Sequence, residues 1–73
     1  MKSNNIFLIE MGKRIREARK SKRISLRELE RLTDIDNANL CRIENGKKNS
    51  HILTLKSIAD VLEIDLLARF FLL

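Results

Sequence analysis

The sequence predicts an all-α fold, a compact five-helix domain. Three observations predict it. The 73 residues include no proline and only two glycines, so little interrupts a helix. Apolar residues recur at helical spacing in successive segments, with no alternating Val/Thr/Tyr run and no Asn-Gly hairpin signal. Helix start and stop signals fall at short intervals, at Ser25, Asp36 and Gly46.

Residues 1–5 are polar and expected to fray. From Ile6 to about Lys22 the pattern predicts one long helix, with Leu8, Met11, Ile15 and Ala18 facing the core. Phe7 and Ile9 fall off that stripe and belong to loose ends or to a second contact surface. Lys13, Arg14, Arg16, Arg19, Lys20, Lys22 and Arg23 form a dense basic run, which by itself describes a solvated face.

A second helix opens at Ser25. Ser25 and Glu28 form a Ser-x-x-Glu capping box, and Ile24 can staple the first turn. Leu29 and Leu32, three apart, give this helix its buried side. Thr33-Asp34-Ile35 interrupts the pattern, and the Asp36 carboxylate can cap a third helix. Leu40 and Ile43 form the seam of that helix, and Gly46 can supply the left-handed residue that ends it.

Away from the Leu40/Ile43 seam stand Asn37, Ala38, Asn39 and Arg42. Asparagine can pair with adenine, arginine with guanine, and a methyl group can meet a thymine methyl. Polarity alone describes any solvated helix face. The frame around these residues is more specific. Leu29-Glu30-Arg31-Leu32-Thr33-Asp34-Ile35-Asp36 resembles the Leu-Ala-x-x-x-Gly-Ile/Val-Ser block of phage repressor and Cro-like (Xre-type) regulators. Ile43-Glu44-Asn45-Gly46-Lys47 is similar to that family's Ile-Glu-x-Gly-Lys, and Thr54-Leu55-x-x-Ile58-Ala59-x-x-Leu62 to its next helix. The likeness spans roughly residues 11–67, with three blocks in order. Glu30 departs from a small alanine and Asp34 from a turn glycine.

The resemblance implies a lambda-repressor-like domain whose second and third helices form a helix-turn-helix. It implies that Arg19 and Glu44 pair across the first and third helices. It also implies that the third helix reads DNA bases through Asn37, Ala38, Asn39 and Arg42. Asn45, Lys47 and Lys48, with Ser25 and Arg27 at the second helix's start, would hold backbone phosphates, which set register without reading sequence. Leu26 stands where the family often has a polar residue; it could pack inward or meet a thymine methyl.

Thr54 can cap a fourth helix carrying Leu55, Ile58, Ala59 and Leu62, and Asp65 a fifth. From Leu66 to Leu73 only Arg69 interrupts an apolar run. A helix apolar all round needs burial on several sides. Leu67, Phe70 and Phe71, with Phe7, are therefore expected in a dimer interface, unless the tail folds back over Phe7 and Ile9.

Residues 1–73 are read as one small domain. The net charge of +5 and pI of about 9.9 suit a polyanion. Cys41 is the sole cysteine, which excludes an internal disulfide; small, partly buried packing is its expected role. His51 has no ligand cluster beside it, and no nucleophile has a matched base, so neither metal, cofactor nor enzyme activity is expected. No secretory core or membrane span is present in the sequence, so a cytoplasmic place is expected. The resulting expectation is a homodimeric transcriptional regulator on a palindromic double-stranded DNA operator. The alternative is an interaction module, such as an antitoxin or accessory regulator, that holds a protein partner through its apolar tail.

Overall fold

The computed structural model describes residues 2–65, with side chains from Ile6 onward. Among these residues stand four helices and no strand: α1 (Lys2–Ser21), α2 (Leu26–Thr33), α3 (Asn37–Glu44) and α4 (Ile52–Leu62). The all-α class holds, with four helices rather than five. The expected fifth, over 66–73 and including Leu67, Phe70 and Phe71, lies outside the described residues.

Helix α1 begins at Lys2, before the predicted start at Ile6, so residues 2–5, expected to fray, are helical. No proline or glycine lies there to stop the helix. Its inward row is Phe7, Met11, Ile15 and Ala18, of which Met11 and Ile15 are fully buried. Phe7, not Leu8, joins this row because positions four apart stack along a helix. Phe7 is half-buried against the core, which leaves only part of it for a partner.

Helix α2 starts as expected, with Ser25 Oγ accepting the Glu28 N–H at 3.0 Å. The other half of the capping box is not made, because the Glu28 carboxylate accepts from Arg31 instead. The inward row is Leu26, Leu29 and Thr33; Leu32, expected inside, is 44% exposed. At 100° per residue, Leu32 lies to the far side of Leu29 from Leu26 and Thr33. Leu26 thus packs inward.

Helix α4 starts three residues earlier than a Thr54 cap predicts. His51 is its N-cap and makes no side-chain cap bond. Ile58 and Leu62 are fully buried, with Leu55 and Ala59 packed beside them. These join Met11, Ile15, Leu29, Leu40 and Ile43 in one core.

Helices α1, α3 and α4 end in the same way. In each, one backbone N–H reaches five residues back and its predecessor three: Ile24 to Arg19 and Arg23 to Lys20, Lys47 to Arg42 and Gly46 to Ile43, Ile64 to Ala59 and Glu63 to Asp60. This is the Schellman closure, which satisfies orphan carbonyls and needs one left-handed residue. Gly46 supplies it at φ 71°, and Arg23 (60°) and Glu63 (58°) supply it without glycine. Lys22 Nζ donates to Glu63 at 2.7 Å across the ends of α1 and α4, and this bond holds the Glu63 carboxyl below its ordinary range.

Helix α3 is fixed against α1 by charge and by close approach. Arg19 donates to both carboxylate oxygens of Glu44, at 2.6 and 3.1 Å, and to the Ile24 carbonyl at 2.8 Å. The two side chains are only 11% and 5% exposed. Beside them a Cβ on Gly12 would lie 2.5 Å from the carbonyl oxygens of Ile43 and Glu44, so only glycine permits this contact. Gly46 likewise abuts the Ile9 backbone. Glu44→Ala leaves a nearly buried guanidinium without its carboxylate, and stability should fall by about 3 kcal/mol in urea titration. An unchanged midpoint would show that the pair does not hold α3.

Candidate nucleic-acid interface

Two short helices meet at a three-residue corner, Asp34-Ile35-Asp36. Asp34 adopts the left-handed conformation at φ 63°, where the resembled pattern carries glycine, and its N–H donates to the Glu30 carbonyl at 2.8 Å. Aspartate tolerates this region better than most residues. Thr33 Oγ1 donates to the Leu29 carbonyl at 2.7 Å and accepts the Ile35 N–H at 3.3 Å. Ile35 packs onto the core, which pins the corner from inside.

The start of α3 is held by two carboxylates. Asp36 Oδ1 accepts the Asn39 N–H at 2.8 Å, the N-cap bond predicted from the sequence. Glu30 Oε2 accepts the Asn37 N–H at 3.1 Å. The departure from alanine at Glu30 therefore has a structural use: it joins α2 to the first amide of α3. Both acids also lie at the positive end of the helix dipole.

Leu40, Ile43 and Glu44 of α3 are buried, and the rest of the helix faces outward. Asn37, Ala38 and Arg42 are exposed, while Asn39 is half-buried. Cys41, expected to pack partly inside, is exposed instead. The helical turn explains this, since Cys41 follows Ala38 by three residues and Asn37 by four. Asn45 is exposed at the next turn, with Nδ2 directed at Cys41 Sγ, 3.5 Å away. Spacing from Asn37 signals Cys41 as an addition to the face, next to Asn45, which is already expected at phosphates.

Ser25 and Arg27 are exposed at the N-terminus of α2, and Lys47 and Lys48 directly after α3. A recess between α3 and the following loop brings Asn39 and Lys48 together with Ser50, His51 and Thr54. Arg19 and Glu44 do not face outward; they brace the helix from behind. Leu67, Phe70 and Phe71 lie outside the described residues. Gly12, with no side chain to mark it, went unmarked in the sequence yet sets how close α3 approaches α1.

Among the described residues no group of three or more His, Cys, Asp or Glu could hold a metal ion, and no helix is long and apolar enough to cross a membrane. Asp36→Ala should lower stability by about 1 kcal/mol in thermal unfolding, through loss of the cap. A wild-type melting temperature would show that Glu30 alone secures the helix start.

The helix-turn-helix family matches residues 15–68. No curated protein matches the chain significantly. Among solved structures, the restriction-modification controller protein C.AhdI from Aeromonas hydrophila is similar. It is 29% identical with a TM-score of 0.76, over 81% of this chain and 89% of that one.

Proposed function

The chain belongs to the helix-turn-helix family and is a DNA-binding transcriptional regulator; from that premise we propose that it acts as a homodimer with α3 in the major groove of a palindromic operator. The observation that carries this reading is the outer face of α3. It is exposed and rigidly backed, and it carries Asn37, Ala38, Asn39 and Arg42 among the groups that can meet base edges. Ser25, Arg27, Asn45, Lys47 and Lys48 flank it and take phosphate oxygens, which fix orientation. The net charge of +5 favours the encounter. The likeness to a restriction-modification controller supports a regulator of this kind.

In a two-fold dimer the paired α3 helices lie about 34 Å apart, one turn of DNA, so the operator is an inverted repeat. Ile52 and Leu53, 58% and 74% exposed at the start of α4, support an apolar contact. The apolar run from Leu66, with Leu67, Phe70 and Phe71, adds to it, together with the exposed part of Phe7.

Random-library DNA selection with the purified chain should enrich an inverted repeat. Against that operator, Arg42→Ala should relax preference at one base pair by ~1–3 kcal/mol. Lys47→Ala should weaken binding to all sequences alike and reduce the salt slope by about one. If neither change alters binding, α3 and its following loop do not face the DNA. Light scattering across concentrations should give a dimer. A monomer throughout would favour the reading in which the apolar residues await a different protein.

A further inference from the structure

We propose that Asn39 does not read a base but positions Arg42, so that these two residues together specify a single guanine. The inference rests on the groove reading above and divides the work within it. Asn39 is the one half-buried member of the four; Asn37, Ala38 and Arg42 are exposed. Both ends of its amide are in use. Nδ2 donates to Asp36 Oδ2 at 3.0 Å, and Oδ1 accepts from Arg42 Nη1 at 3.3 Å.

The orientation of the amide is settled by its neighbours. A carboxylate accepts only, and a guanidinium donates only. Reversing the amide would turn its oxygen toward Asp36 and its NH₂ toward Arg42, and would lose both bonds. Among the described residues, Asn39 is thus the polarity-matched bridge between the N-cap and the arginine. Asp36 also receives the Asn39 N–H, so the anchor is tied to the backbone at the helix start.

The consequence lies at Arg42. A free arginine side chain has large rotamer freedom, which it loses on forming a bidentate contact. The Asn39 bond removes part of that freedom beforehand. It also uses Nη1, while Nε and Nη2 make no hydrogen bond among the described residues. That edge of the guanidinium can donate two parallel bonds, the pattern that guanine O6 and N7 accept in the major groove. Adenine, the expected partner of a reading asparagine, would meet only the amide's second lone pair and second N–H, because Asp36 and Arg42 hold the others.

The test uses the full chain and the operator selected by the wild-type protein. Binding is measured for the four bases at each position, with Asn39→Ala, Arg42→Ala and the double variant. Arg42→Ala should reduce guanine preference at one base pair by about 5- to 150-fold. Asn39→Ala should reduce preference at that same base pair by ~3- to 10-fold, and the double variant should be no worse there than Arg42→Ala alone. Asn39→Asp keeps an acceptor for Arg42. It also loses the donor to Asp36 and sets a carboxylate there, so it should retain more of the guanine preference than Asn39→Ala while weakening binding to all sequences. Circular dichroism checks the folding of each variant; the Asp36 cap is made to the residue 39 backbone N–H, not to its side chain.

Loss of preference at a separate base pair in Asn39→Ala, additive with Arg42→Ala, would overturn the positioning role and leave groove reading intact. A wild-type chain that enriches no motif would overturn both.

Discussion

One guanidinium joins the parts of this domain that local sequence signals leave separate. Arg19 closes on Glu44 through two bonds and on the Ile24 carbonyl through a third. The first ties α1 to the end of α3, and the last ties it to the turn that launches α2. Charge alone would make this a poor bargain, because desolvating an ion pair costs about as much as the pair returns. Its value is geometric, since a planar fork accepts few orientations of its carboxylate. The two glycines stand at the same crossing, Gly12 beneath the Ile43 and Glu44 carbonyls and Gly46 against Ile9. Backbone contact and ion pair thus determine one angle between α1 and α3.

The outer face of α3 follows from that angle. Its inner residues are taken by the core and by Arg19, and its start is held by Asp36 and Glu30. What remains faces solvent as a short, braced surface. A face of this kind loses little freedom when it meets a partner, which is where a small domain gains affinity without large area. The acidic groups at the helix start each accept amide donors of α3, which ties their charge to the positive end of the helix.

Much of this was legible in the sequence because it is local. Ser25, Asp36 and Gly46 act within four or five residues, and each performs the task its type predicts. The helix-turn-helix frame was legible too, from three blocks in register. Misreadings arose where several faces of a helix compete. Leu8 and Leu32 are apolar and correctly spaced from a core neighbour, yet Phe7, Leu26 and Thr33 lie nearer the true centre of the buried stripe. Thr54 is a good cap by type, but the helix starts earlier because His51 already has the extended conformation of an N-cap. Gly12 left no trace because its contribution is the absence of a side chain. The separate tasks of Asn39 and Arg42 depend on side-chain geometry, which spacing does not encode.

The exposed sulfur of Cys41 gives this surface a chemical address of its own. The chain holds one thiol, and the fold places it on the outside of α3, not inside the core. A maleimide dye added to the folded protein would label that helix and no other point on the chain. Its rate of attachment would report, moment by moment, how much of the helix is shielded by whatever molecule rests against it.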